Sequence, residues 1–353
     1  MKELFESEAS ALAPPRWDWS GIRRVLIVRL RSIGDTVLST PSLTALRRFL
    51  PNAEIDVLLE DWVAPILEGY REVDNVLTVR RNDTKDRLRL MWKLRSRGYD
   101  AAYNLHGGTT AGFFTAATLA KHRVGFKHYP YKFLYNHLAP ASSELWQREK
   151  THSAEQQLAL LGWTGVPVSD RPKTRLEITE KAAGSIKNKI GSDRFALIHP
   201  VAAFESKQWA TENFAKIADY LHEKGLSAVA VAAPKEAETL ERLRNLAQVG
   251  VKSFVNLSLP EITALAARAR IFVGNDSGIA HVAAAVQTPS VVIFGSSNIA
   301  HWRPWTNAPH EVVSANPARA PFAPDKYEQS DEPECIRRVS VEQVKAAIER
   351  VLH

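Results

Sequence analysis

Along this chain, apolar residues come either in short unbroken runs or at helical spacing, and the two kinds of segment alternate. The runs Arg24–Arg29, Glu54–Leu59, Val76–Val79 and Ala101–Leu105 predict strands buried on both faces, since a half-wet strand would alternate instead. Between them, Thr36–Leu50, a segment near Val63–Gly69 and Arg87–Ser96 predict helices. Pro41 is tolerable only near the start of the first helix, while Pro51 and Gly98 mark two helix ends. The pattern softens between Gly107 and Trp146, and helical spacing returns over Ala154–Leu161. Such alternation predicts βαβ units and a parallel sheet covered on both faces.

A linker with two prolines and no period, Gly165–Lys173, precedes a second series. Its strands are Phe195–His199, Ala228–Ala232, Ile271–Val273 and Ser290–Phe294. Its helices are Thr211–Lys224, Glu236–Ala247, Glu261–Ala269 and Ile279–Val286. Asn307–Glu334 is proline-rich and irregular. Val341–Leu352 closes the chain as an amphipathic helix, with Val341, Val344, Ile348 and Leu352 on one stripe. The fold class is therefore α/β, with two doubly wound domains, 23–170 and 171–335, facing across a cleft. Residues 1–22 form a loosely held arm, and 336–353 hold the closing helix. In such sheets ligands bind outside the carboxyl ends of the strands.

At 353 residues the chain is long for one core, in keeping with two domains. Its 45% apolar and 24% charged residues are those of an ordinary soluble protein. A single cysteine, Cys335, excludes a disulfide framework and a cysteine zinc cluster. Met1–Ser20 lacks the apolar core of a signal peptide, and no run approaches the ~20 apolar residues of a membrane helix. A cytoplasmic location is expected. The net charge of +7 is unevenly placed. Arg80–Arg97 carries eight bases against Asp83 and Asp86, and Ala101–Ser143 has no carboxylate. This basic stretch is either a solvated face or an attraction for a phosphorylated or acidic partner, anionic lipid and nucleic acid included.

No GxGxxG follows the first strand, and Walker A, HExxH and GxSxG are absent, which weakens oxidoreductase, NTPase, metalloprotease and esterase readings. Four loops at strand ends remain. In Ser32-Ile-Gly-Asp35, Asp35 is either a helix cap or a carboxylate placed as general base. In His199–Trp209, Lys207 is either a surface lysine or a point charge for phosphate. In Ala232–Glu236, the acidic residue either complements a helix dipole or meets a ligand. The fourth, Gly274-Asn-Asp-Ser-Gly278, joins a strand to a helix N-terminus, where free N–H groups attract an anion. Asp276, Ser277, Gly278 and His281 within six residues exceed what a cap needs.

Arg24-Val-Leu-Ile-Val-Arg-Leu-Arg-Ser-Ile-Gly-Asp-Thr-Val-Leu-Ser-Thr-Pro41 resembles the N-terminal signature of the ADP-heptose:lipopolysaccharide heptosyltransferases. The resemblance continues through His199-Pro, Ser206-Lys-Gln-Trp209, Phe272–His281, Thr288–Gly295 and Cys335–Val341, in the same order over residues 22–353. It implies a GT-B architecture of two Rossmann-like domains, acceptor in the first and nucleotide sugar in the second, with the last helix crossing back to the first. It also implies metal-independent, inverting transfer of L-glycero-D-manno-heptose from its ADP derivative to the lipopolysaccharide inner core, on Kdo or heptose.

Carried over residue by residue, the resemblance makes Asp35 the base and puts Lys207 on the leaving diphosphate. Donor contacts fall on Ala202, Ala203, Lys207, Glu236, Leu257, Asp276, Ser277, Gly278 and His281. Acceptor contacts fall on Ser32, Gly34, His106 and Arg123, within the basic region 80–132. No cofactor is implied beyond the ADP-sugar substrate, and no nucleic acid. The anionic acceptor implies peripheral contact with the inner membrane surface. Two departures stand out: Val201-Ala202-Ala203 lacks the hydroxyl found in many members, and Ala232-Ala233 replaces a glycine pair. A transferase or epimerase using another nucleotide sugar therefore stays open, as does a non-catalytic protein that binds anionic glycolipid.

Overall fold

The aliphatic runs become two parallel sheets of six strands each. The structure, a computed structural model, describes residues 9–191, 194–315 and 334–353. Strands β1–β6 are Arg24–Leu30, Glu54–Glu60, Asn75–Val79, Ala101–Asn104, His122–Phe126 and His137–Ala139. Strands β7–β12 are Phe195–His199, Ser227–Val231, Val251–Phe254, Ile271–Asn275, Ser290–Phe294 and His310–Ser314. The orders are β3-β2-β1-β4-β5-β6 and β12-β11-β10-β7-β8-β9. Renumbered from its own start, the second order is the first one repeated. Every pairing is parallel, so all loops after strands emerge at one edge of each sheet. The order reverses between β1 and β4 and again between β7 and β10; these are the switch points at which doubly wound sheets bind ligands.

The chain divides into two units, Met1–Lys173 and Thr174–His353. The division falls at the end of the segment expected as a linker. The whole segment belongs to the first unit, where Val168 N–H donates to Ser10 O and Arg48 pairs with Asp170 at 2.7 Å.

Four expectations change. The stretch 9–22 is docked: Leu12 N–H donates to Gly162 O, Trp19 Nε1 donates to Thr164 O, and the Arg16 guanidinium lies over the Trp163 ring. Gly165 makes room for it, since its φ of +106° suits glycine and a Cβ there would sit 2.8 Å from Pro15 Cα. The helix expected over 36–50 is broken into Ile33–Val37 and Thr40–Phe49, which puts Pro41 in a first turn.

Asn307–Glu334 is not irregular throughout, because β12 occupies 310–314; residues 316–333 lie outside the described residues. The last helix, Val341–Leu352, does not cross back to the first unit. Val341, Val344, Ala347, Ile348 and Val351 enter the core of the second, with Ile198, Phe214 and Ile293. The helix packs on β11, β12 and the helix Thr211–Glu223, covering the part of that sheet face that the helices after β7 and β8 leave bare.

Candidate functional site

At the switch point of the first sheet, Arg29 is the next-to-last residue of β1, and the helix Ile33–Val37 starts after two intervening residues. Asp35 is not the cap that its position suggests. Ser32 is the N-cap and Asp35 the third helical residue, turned back on it. Ser32 N–H and Oγ both donate to Asp35 Oδ2, at 3.2 and 3.1 Å. The other carboxylate oxygen is ion-paired with Arg29 Nη2. Arg29 is itself buried and further committed: Nε donates to Asp35 O at 3.2 Å, and Nη1 donates to Leu105 O at 3.0 Å.

His106, after β4, places Nδ1 3.4 Å from Arg29 Nη1. Asn104 fixes that loop, its Oδ1 accepting the N–H groups of His106 and Gly107 at 2.9 Å each. Burial pushes the Asp35 carboxyl up, yet Arg29 and the Ser32 bonds outweigh it, and the net shift is downward. Burial, then the Arg29 charge, push His106 down to about 4. The result is a fixed, ionised carboxylate beside a neutral imidazole. Gly34 is buried within the same short helix. Arg123 does not join this cluster; its guanidinium donates to Leu134 O and Ala120 O, at 3.0 and 2.8 Å, tying β5 to its surroundings.

At the switch point of the second sheet, the loop after β7 meets the end of β10. Lys207 Nζ lies 2.9 Å from Asp276 Oδ2, which also accepts from Ser297 Oγ at 2.5 Å. The loop is anchored by the buried Trp209, whose N–H donates to Asn275 Oδ1 and whose Nε1 donates to Val339 O. Gly295 lets it come this close, because a Cβ there would meet Ser206 O at 2.2 Å. Ser277 is the N-cap of the helix Gly278–Ala285 but makes no capping bond with its side chain. Ser277 Oγ and Asn275 Nδ2 are buried with no hydrogen-bond partner among the described residues. First-turn N–H groups lack intrahelical partners, so a concentration of donors stands beside the lysine. His281 is buried at the end of that turn.

The remaining candidates follow the strand order along the same edge. Ala202 N–H reaches Gln208 Oε1 at 3.4 Å, and Ala203 is exposed. After β8, Glu236 Oε2 accepts Ala233 N–H at 3.0 Å and closes the turn Pro234–Glu236. After β9, Leu257 is half-exposed just before Ser258, the N-cap of the helix Leu259–Arg268. With strands about 4.8 Å apart, Asp276, Lys207, Glu236 and Leu257 follow four adjacent strands, a row about 14 Å long.

Sequence reading missed Arg29, Asn104 and Ser297. Arg29 is a charged residue ending an aliphatic run, a signal that was open to use. Ser297 lies in a Gly-Ser-Ser stretch that carries no signal of its own.

Two doubly wound halves, each with a switch point in its strand order, have the architecture of the GT-B glycosyltransferases. The profile of glycosyltransferase family 9 (heptosyltransferase) matches residues 87–330, and the chain belongs to that family. It is 26% identical to lipopolysaccharide heptosyltransferase 3 of Escherichia coli K12, over 92% of this chain and 96% of that protein. In fold it is similar to a family 9 glycosyltransferase from Veillonella parvula, with a TM-score of 0.80 at 20% identity, over 94% of this chain and 97% of that one. It is also similar to the E. coli ADP-heptose lipopolysaccharide heptosyltransferase II, with a TM-score of 0.75 at 22% identity, over 93% and 99%.

Proposed function

We propose that this enzyme moves a heptosyl group from ADP-heptose to a hydroxyl of the lipopolysaccharide core, with inversion at the anomeric carbon. The observation that carries the proposal is the second switch point. There a lysine held by a buried aspartate stands at a helix N-terminus with an unpartnered serine hydroxyl, a group suited to a diphosphate. The relatives' names support ADP-heptose as donor and lipopolysaccharide as acceptor.

In this reading the acceptor hydroxyl oxygen attacks the anomeric carbon as its proton passes to Asp35. The bond from that carbon to the diphosphate oxygen breaks, and ADP leaves with the electron pair. Its developing charge meets Lys207 and the N–H groups of Ser277 and Gly278, while His281 packs behind them. The row toward β9 takes the nucleoside, with Glu236 beside the ribose and Leu257 against the base. Ala202 and Ala203 offer only backbone groups to the phosphates. Ser32, Gly34 and His106 line the acceptor side of Asp35. Arg123, with two carbonyls already served, shapes that side from β5.

Incubation with ADP-heptose and a Kdo-lipid A acceptor tests the reaction, with calorimetric titration of ADP and UDP alongside. Release of ADP with a product of inverted anomeric configuration is expected, and ADP binding tighter than UDP. Tighter UDP binding would assign another nucleotide sugar, and ADP binding without turnover on any core acceptor would remove the transferase step.

A further inference from the structure

The helix Thr84–Ser96 leads from β3 to β4 and Thr109–Ala117 from β4 to β5. Both connections move the same way along the sheet, so right-handed crossovers put both helices on one face. They touch each other, and Leu90, Leu94, Ala111 and Phe114 turn into one core beneath them. The outward side is unusual. Of the ten large apolar side chains exposed among the described residues, six fall between Leu88 and Phe133. Trp92 is 73% and Phe133 76% exposed. Leu88 and Trp92 are one turn apart on the first helix. Phe113, Tyr131 and Phe133 form a chain of ring contacts, with centroids 5.8 and 6.0 Å apart.

Cations are interspersed in the same segments. Lys85, Arg89, Lys93, Arg95, Lys127 and Lys132 are exposed and have no ion-pair partner among the described residues. Two nearby carboxylates are occupied: Asp83 caps its helix, and Asp86 accepts Arg80 N–H. Exposed indole and phenyl rings framed by unpaired Lys and Arg match the headgroup boundary of a bilayer. Aromatic rings settle at that depth, and basic side chains lie along it with their charges outward. A face for duplex nucleic acid would need the cations but not Leu88, Trp92 and Phe133 held out in water.

We infer that the outward face of these two helices and the turn 131–133 docks the first unit onto an anionic lipid bilayer. The transferase reading gives this docking its occasion, since a core acceptor is anchored in a membrane. The inference itself stands on the surface, and its test needs no turnover.

The test is co-flotation of the full chain with vesicles of phosphatidylglycerol and phosphatidylcholine, against vesicles of phosphatidylcholine alone. Binding is expected to the anionic vesicles and to weaken with salt. The paired charge reversals Lys85→Glu and Lys93→Glu should lower the partition coefficient by about 30-fold or more, each base being worth about 1 kcal/mol at the surface. The pair Trp92→Ala and Phe133→Ala should also lower it roughly tenfold. All four side chains are exposed, and unchanged circular dichroism checks that the variants fold. Absence of vesicle binding, equal binding to neutral vesicles, or insensitivity to either pair overturns the inference. So does displacement of the chain from vesicles by duplex DNA at equal salt, which would assign the face to nucleic acid.

Discussion

The two units share a strand order and place an ion pair at the same switch point, but the pairs run in opposite senses. In the first, the cation is buried and the anion is the more open partner: the Arg29 side chain is 7% exposed and that of Asp35 23%. In the second, Asp276 is 6% exposed and Lys207 19%. Each time the buried ion is tied into the scaffold, Arg29 by Leu105 O and Asp276 by Ser297, and it holds the other where a ligand can reach it. One topology therefore supplies a fixed carboxylate in one half and a fixed ammonium in the other. The proposed transfer would use both, a base for the incoming hydroxyl and a positive end for the leaving group. The difference also separates working groups from holding groups, and substitutions at each should fail in different ways.

The largest effect is expected from Asp35→Asn. The amide can still accept from Ser32, so the helix start survives, while the base is lost; kcat should fall by about 10²–10⁴. Both changes leave Arg29 buried without its counter-ion, a situation that costs about 3–5 kcal/mol elsewhere; Asp35→Ala is the less clean variant because it also removes the acceptor of the two Ser32 bonds. Steady-state kinetics beside thermal unfolding separates the two outcomes. Near-wild-type turnover in a folded Asp35→Asn enzyme would remove Asp35 as base.

Lys207→Met comes next. Losing one preorganised positive group facing the diphosphate should lower kcat by about 10²–10³, with ADP affinity falling as well. If ADP binding and turnover are both unchanged, the lysine serves only Asp276, and the contrast between the units collapses.

Gly295→Ala probes the scaffold of the second unit rather than its charge. A methyl 2.2 Å from Ser206 O must push the Lys207 loop away. A loss of about 1–3 kcal/mol in unfolding free energy is expected, as for overpacked interiors, with weaker ADP binding. Unchanged stability and affinity would mean that the loop is free to yield.

How much of this was legible in sequence follows from how the elements are buried. Strands β1, β2, β4, β7, β10 and β11 are nearly all interior, so their aliphatic runs announce them. The strands β6, β9 and β12 lie at or near the sheet edges, half-exposed and short, and their composition matches that of loops. The docked arm 9–22 was missed because most of its partners are backbone carbonyls of residues 162–164, which leave no mark on composition. Periodicity showed the amphipathic stripe of the last helix but not which core takes it. In the sites, Asp35, Lys207 and Asp276 were readable because a charged residue after a buried strand is conspicuous. Arg29 is conspicuous as a charge within an aliphatic run, but its reach to Asp35, like that of Ser297 to Asp276, is made through space, and nothing in the spacing points to those partners.

Arg29→Met asks whether the buried partner tunes as well as holds. Arg29 is the main opposing influence that keeps the Asp35 carboxyl below its ordinary value of 3.8, against burial that pushes it up. A base works when ionised, so the acidic limb of kcat/KM for the wild-type enzyme should lie below the usual carboxylate range. Removing the cation takes away the main influence that opposes burial, and the limb should move upward from its wild-type position. The stability contribution has the same sign. A depressed carboxylate stabilises the fold above its unfolded value, and that gain is lost as pH falls through the folded value; the variant should lack it. His106 complicates the picture, because it is held down to about 4 partly by the same guanidinium. Freed of Arg29, it can take up a proton at mildly acid pH and restore some positive charge beside Asp35. The double variant Arg29→Met with His106→Gln removes that substitute, and its limb should lie higher than that of the single variant. If both limbs coincide with the wild type, Arg29 only positions Asp35, and the buried ion of the first unit is a tether without influence on the base it holds.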